Sequence, residues 1–330
     1  MEISILGQGA WGTALAIHVS RAHSVHWWGR DPARCQTLAR TRRSETALPD
    51  CAIPDSIQIT ADLQACVDGC DWVVMAVPVA AMDEVAKLLR SVSHSGLIWT
   101  CKGIDPDSGR LPGEILDDVL GPSVQRAVLS GPSFADDLAA GLPTAAVVAA
   151  DDPAVAEAAA PVFHHGLFRI YVGADPVGVQ LGGAVKNVLA IAVGIAHGLR
   201  LGDSAQAALI TRGINELMRL GKALGANPAT LSGLSGLGDL VLTCSSAHSR
   251  NFRLGQLIGE GQSIEQASAK IGQVTEGRHT ALALARLSRD HELDLPICEQ
   301  VRQVLTGVIR PAQAVEALLT RPSTSETLHA

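Results

Sequence analysis

Aromatic residues are scarce in this chain: five Trp, four Phe and one Tyr make up 3% of 330 residues, although 47% of the sequence is hydrophobic. The apolar content is therefore Ala, Leu, Val and Ile, the palette of packed helices and of strands buried on both faces. Positive charge is also short, with 26 Lys and Arg against 33 Asp and Glu, a net charge of −7 and no basic stripe. That balance argues against a nucleic-acid partner, so an anionic ligand has to be held by a few local cations and helix ends. Seven cysteines (35, 51, 66, 70, 101, 244 and 298) form an odd set without a C-x-x-C pair, and no His/Cys grouping has zinc spacing. They read as reduced, mostly buried thiols, with no metal site among them. No apolar stretch reaches the ~18 residues of a membrane span; the richest, residues 188–195, is preceded by Lys186-Asn187 and followed by His197. Met1-Glu2 runs straight into an apolar strand without room for a signal peptide, which points to the cytoplasm.

Glycine, by contrast, is abundant and placed. Behind Ile3-Ser4-Ile5-Leu6 stands Gly7-Gln8-Gly9-Ala10-Trp11-Gly12, opening into Thr13-Ala14-Leu15-Ala16-Ile17. Strand, G-x-G-x-x-G and helix in that order form the dinucleotide fingerprint, because the glycines let the backbone turn tightly and approach a pyrophosphate at a helix start. A second short strand, Val25-His26-Trp27-Trp28, follows at a βαβ distance and ends at Gly29-Arg30-Asp31. An acidic residue near this point suits the ribose 2′-hydroxyl of NAD and an arginine suits a 2′-phosphate. Arg30 leans the cofactor toward NADP(H), and Asp31 leaves NAD(H) open.

Strand-like runs then alternate with helical ones, at residues 57–59, 71–77, 97–100, 127–130, 145–149 and 168–172. Continuous Val/Ile/Leu strands with intervening helices predict an α/β fold: a doubly wound, Rossmann-like parallel sheet covered on both faces. From about residue 175 to 320 the pattern is helical without a convincing strand. The expected division is a dinucleotide-binding domain over 1–174, an all-helical substrate and catalytic domain over 175–320, and a polar tail over 321–330.

The helix that opens the second domain carries a misplaced charge. Around Lys186 the positions −7, −4, −3, +3, +4 and +7 are Val179, Gly182, Gly183, Leu189, Ala190 and Val193. A lysine on such a face either snorkels to solvent past small residues or is held in a cleft for chemistry, where partial desolvation eases loss of its proton. Asn187 adjoins it, suited to orienting it or a substrate hydroxyl. Two further segments are over-specified for loops. Ser130-Gly131-Pro132-Ser133-Phe134-Ala135 turns from a strand into a helix start, and Ser249-Arg250-Asn251 follows the glycine-rich segment 233–238 and Asp239. An N-cap serine followed by Arg and Asn combines dipole, amides and guanidinium into an anion site suited to phosphate. Each segment also reads as an ordinary capped helix start.

Taken together, Gly7 to Leu15, Lys102-Gly103, the segment 130–135, Lys186-Asn187, Ala208-Leu209-Ile210-Thr211-Arg212-Gly213, Gly236-Leu237-Gly238-Asp239-Leu240, Ser249-Arg250-Asn251 and Glu276-Gly277 resemble the bacterial NAD(P)-dependent sn-glycerol-3-phosphate dehydrogenases. The motifs run in family order across nearly the whole chain. The resemblance implies a Rossmann domain joined to a helical domain on the plan of 6-phosphogluconate dehydrogenase. It also implies reversible interconversion of dihydroxyacetone phosphate and sn-glycerol 3-phosphate, feeding phospholipid synthesis. Carried over by motif, Lys186 is the proton-transfer residue, with Lys102 and Asp239 completing the catalytic set. The substrate contacts are then Lys102, Gly131, Ser133, Lys186, Asp239, Ser249, Arg250 and Asn251. To the cofactor fall Gly7, Gly9, Ala10, Trp11 and Gly12 of the loop, then Arg30, Lys102, Ala135, Arg250, Val274 and Glu276. Ala10 stands where the family often has serine. The rival within this plan is a β-hydroxyacid dehydrogenase, which shares the Lys-Asn pair but recognises a carboxylate. A nucleotide-sensing protein would need neither lysine nor a phosphate site. The sequence does not set the oligomeric state and admits a homodimer.

Overall fold

The structure is a computed structural model that describes residues 1–92, 95–272 and 275–322. Two compact units divide the chain. The first comprises Met1–Lys102 and Pro112–Val179, and the second comprises Gly103–Leu111 and the chain from Gln180 onward.

In the first unit the strands are β1 (Glu2–Leu6), β2 (Ser24–Trp28), β3 (Arg43–Ser44), β4 (Leu48–Ala52), β5 (Gln58–Thr60), β6 (Trp72–Met75), β7 (Gly96–Trp99), β8 (Gln125–Ser130), β9 (Thr144–Ala149) and β10 (Phe168–Gly173). Eight of them form one sheet in the order β10-β9-β8-β7-β6-β1-β2-β5. Helices α1 (Ala10–Val19), α2 (Pro32–Thr41), α3 (Leu63–Val67), α4 (Met82–Leu89), α5 (Pro112–Leu120), α6 (Ala135–Ala140) and α7 (Pro153–Ala159) connect them. One face buries Ile3, Ile5, Trp27, Ile98 and Leu129 together with Leu15 of α1, Leu138 of α6 and Val155 of α7. The other buries Leu6, Val73, Met75, Leu97 and Val128 against Val85 of α4 and Leu116 of α5. Both faces are covered, as the near-continuous apolar strands require.

The sheet is not wholly parallel, which corrects the expectation. The strands from β5 through β8 are parallel neighbours, but β9 pairs with β8 antiparallel and β10 follows β9 in parallel. Apolar content reports how deeply a strand is buried and not which way it runs, so β9 shows the same continuous apolar run in either direction. The antiparallel hairpin of β3 and β4 was also unforeseen.

Among its described residues the second unit has no strand. It continues α8 (Pro176–Gly198) and contains α9 (Asp203–Ala223), α10 (Pro228–Leu231), a π-helical turn (Leu234–Gly238), α11 (Asp239–Cys244), α12 (Arg250–Gly259), α13 (Ile264–Ile271), α14 (Glu276–Asp290), α15 (Pro296–Leu305) and α16 (Pro311–Leu319). Helix α8 is long and apolar enough to cross a membrane, contrary to the sequence expectation, but that stretch is wholly buried in the protein. It is a core helix. Its glycines let α12 touch it backbone to backbone: a Cβ on Gly194 would stand 2.1 Å from the Phe252 carbonyl oxygen, and one on Gly255 would stand 2.1 Å from that of Ile191. All seven cysteines are free thiols, five of them buried. Residues 323–330, most of the expected tail, lie outside the described residues.

Candidate active site

Within the first unit the sequence-predicted residues gather at the carboxyl ends of strands. Gly7 follows β1, Arg30 lies two residues past β2, Lys102 three past β7, and Gly131 directly follows β8. Strand order reverses between β1 and β6, the switch point at which open α/β sheets bind ligands. Gly7 has φ +117°, and a Cβ there would stand 2.4 Å from the carbonyl oxygen of Ala76, just past β6. A Cβ on Gly12 would meet the Gly7 carbonyl oxygen at 2.2 Å. Only glycine fits either position.

Gly9, between them, faces open space, with nothing within 4 Å of its would-be Cβ. No side chain caps the first turn of α1. The Trp11 Nε1 is buried and has no hydrogen-bond partner. An open glycine, an uncapped helix start and an orphaned donor together fit a dinucleotide pyrophosphate. Arg30 is exposed. Asp31 is turned the other way: its Oδ1 accepts from the backbone N–H groups of Ala33 (2.9 Å) and Arg34 (3.3 Å), capping α2.

Lys102 donates its Nζ to the Gly131 carbonyl at 2.9 Å, and the Ser133 hydroxyl donates to the same oxygen at 3.2 Å. A Cβ on Gly131 would lie 2.7 Å from the Ala146 Cα, so this strand end is pressed against β9. Ala135 opens α6 behind it.

The second unit builds its set around Lys186, 7% exposed. Its Nζ donates to Asp239 Oδ1 at 2.5 Å, and Asp239 is fully buried. Glycine makes this meeting possible. One turn before Lys186, a Cβ on Gly182 would stand 2.3 Å from the Ser235 carbonyl oxygen, so the π-helical turn lies directly on α8 and delivers Asp239 to the lysine. The Thr243 hydroxyl donates to the Asp239 carbonyl at 2.6 Å, with Asp239 Oδ1 at 3.5 Å. Burial pushes the neighbouring Cys244 thiol up to about 12, with the Lys186 charge opposing, so it stays protonated and unreactive.

The anion-binding expectation falls on α12. The Ser249 hydroxyl accepts from the Phe252 N–H at 3.2 Å as N-cap, and Arg250 stands exposed at the first helical position. Asn251 is occupied internally: its Nδ2 donates to Asn187 Oδ1 at 2.9 Å, and its Oδ1 accepts from the Gly277 N–H at 3.2 Å. This relay ties together α8, α12 and the start of α14, where Glu276 is half-buried. Burial raises the Glu276 carboxyl above its usual range, against the opposing charge of Arg250. Val274 lies outside the described residues. Sequence reasoning missed Thr243 and the amide relay. Thr243 was findable, because it lies four residues beyond Asp239 on the same helix face.

A dinucleotide loop at a Rossmann switch point, followed by a helical unit with a buried lysine–carboxylate pair, defines the class of two-domain nicotinamide-nucleotide dehydrogenases. Comparison with known proteins narrows the class. The family model described as NAD-dependent glycerol-3-phosphate dehydrogenase N-terminus matches residues 2–156, and its C-terminus counterpart matches residues 175–316. The chain belongs to this family. A glycerol-3-phosphate dehydrogenase [NAD(P)+] of Xanthomonas campestris pv. campestris (strain B100) is 48% identical over 97% of this chain and 95% of its own length. One of Stenotrophomonas maltophilia (strain R551-3) is 45% identical over 98% and 96%. The crystal structure of glycerol-3-phosphate dehydrogenase from Coxiella burnetii superposes with a TM-score of 0.92 at 38% identity, covering 97% of this chain and 99% of that one.

Proposed function

We propose that this protein catalyses the reversible reduction of dihydroxyacetone phosphate to sn-glycerol 3-phosphate with NAD(P)H, in the cytoplasm, supplying the glycerol backbone of phospholipids. The observation that carries the reading is the buried pair of Lys186 and Asp239, within a chain whose two halves match the two halves of one dehydrogenase family. A bound nicotinamide supplies or accepts hydride at C4. As hydride reaches the ketone carbon, negative charge grows on the carbonyl oxygen, and the Lys186 ammonium gives that oxygen a proton. In the reverse direction neutral Lys186 takes the proton from the hydroxyl. Asp239 fixes the ammonium in one orientation.

Substrate phosphate is assigned to Arg250 at the capped start of α12. Lys102, held by the Gly131 carbonyl, and Ser133 complete the substrate contacts. The exposed Arg30, with Asp31 committed to its helix cap, supports NADP(H) over NAD(H). No observation favours a carboxylate substrate over a phosphate.

Arg250→Ala tests the phosphate assignment. Loss of a charge-assisted hydrogen bond costs ~1.5–3 kcal/mol, so KM for dihydroxyacetone phosphate should rise at least about tenfold. Unphosphorylated dihydroxyacetone, a poor substrate, should be far less affected. Equal losses in kcat/KM for both compounds would mean that Arg250 serves the cofactor or the fold and that phosphate binds elsewhere.

A further inference from the structure

The carboxyl end of β2 holds a second cation that neither the fingerprint nor the family motifs assign. Arg34 is the third residue of α2, one turn beyond Arg30. Its guanidinium is half-buried, and its Nη2 donates to the backbone carbonyl of Gln8, inside the glycine loop, at 2.8 Å. A longer contact of 3.4 Å from the same nitrogen reaches Thr46 Oγ1. Both contacts use Nη2, so among the described residues Nε and Nη1 carry no hydrogen bond and Arg34 has no carboxylate partner.

The surroundings bring Arg34 and Arg30 to one place. Gly29 lies flat against the Gln8 side chain, where a Cβ would stand 2.2 Å from Gln8 Cδ. Gln8 Nε2 in turn donates to Cys35 Sγ at 3.2 Å, and that thiol is 3.4 Å from the Gly29 carbonyl. Loop, strand end and first helical turn are thus tied in a single knot. Arg30 leaves the knot directly after Gly29, and Arg34 is clamped onto its Gln8 carbonyl. The nearest acidic group in sequence, Asp31, is spent on the Ala33 and Arg34 amides. In a protein of net charge −7, two guanidiniums without carboxylate partners beside a dinucleotide loop match a dianion, and a neutral ribose diol leaves both charges uncompensated.

We propose that Arg34 is a second specificity-determining residue for the cofactor, presenting its Nε–Nη1 edge to the adenosine 2′-phosphate of NADP(H) alongside Arg30. The proposal rests on the NADP(H) reading above and adds a residue to it.

The test is direct binding of two fragments that differ only by the phosphate, adenosine 2′,5′-bisphosphate and AMP, and of NADPH and NADH, followed by calorimetry on the full chain. Arg34→Gln should weaken the bisphosphate and NADPH about tenfold or more, a charge-assisted hydrogen bond being lost. AMP and NADH should stay within about twofold. Arg34→Lys, which keeps the charge, should recover part of the loss. Equal weakening of all four ligands would show that Arg34 only braces the Gln8 loop, and unchanged binding of all four would show that it touches no phosphate; either overturns the proposal. A wild-type chain that binds bisphosphate and AMP alike would refute the NADP(H) reading itself, and the proposal with it.

Discussion

Burying an ammonium and a carboxylate together costs desolvation that their attraction only partly repays, so a pair such as Lys186 and Asp239 adds little net stability. The proposed proton transfer gives a reason for placing a lysine on an apolar, glycine-rich helix face. Lys186→Ala should lower turnover by ~10²–10⁴ while cofactor binding survives. Steady-state kinetics, with near-ultraviolet circular dichroism to show a native fold, check this, and turnover within a few-fold of wild type in a folded variant contradicts the role. The lysine was legible because six apolar or glycine neighbours surround it at helical spacing. Asp239, 53 residues away, was placed beside it only by the family resemblance, since local spacing does not show that Gly182 admits the π-helical turn onto α8. Asn251 shows the same limit. The anion motif named it as a ligand contact, and nothing in that motif foretold that its amide also joins Asn187 to Gly277.

At the scale of elements, the end of α1 docks on the segment before β10 through histidines that metal spacing had set aside. His18, 2% exposed, makes a 2.8 Å hydrogen bond from Nε2 to the Phe163 carbonyl and stacks on His165 with ring centroids 3.9 Å apart. Burial lowers its pKa from 6.5 to about 4, against the Phe163 hydrogen bond and with help from the charges of His165, Arg21 and His23. The unfolded chain therefore binds this proton more readily than the fold does. The stabilisation is complete above pH 6.5 and is lost as pH falls toward 4, amounting to about 3 kcal/mol. Urea denaturation across that window should show a decline that His18→Gln largely flattens; an unchanged slope in the variant contradicts the assignment. Strand positions in the eight-stranded sheet were legible within a residue or two because strands buried on both faces are continuous apolar runs. The direction of β9 was not, because apolar content does not encode direction.

For the whole molecule, composition and the glycine fingerprint sufficed to indicate a nucleotide-binding α/β unit followed by helices. The division of the contacts was less legible. Residues Gly103–Leu111 lie in sequence between β7 and α5 yet group with the second unit, and Arg286 of α14 donates to the Asp107 carbonyl within that group. No local pattern marks such an excursion, whose cause is packing. The central claim is that the two units serve one reaction, hydride transfer to a phosphorylated ketone with Lys186 as proton donor. It is tested most directly by following the nicotinamide absorbance of NADPH on mixing with the purified chain and dihydroxyacetone phosphate. The account predicts a loss of absorbance matched mole for mole by sn-glycerol 3-phosphate. Absorbance that stays constant with both NADPH and NADH, in a sample that binds the cofactor, would contradict it.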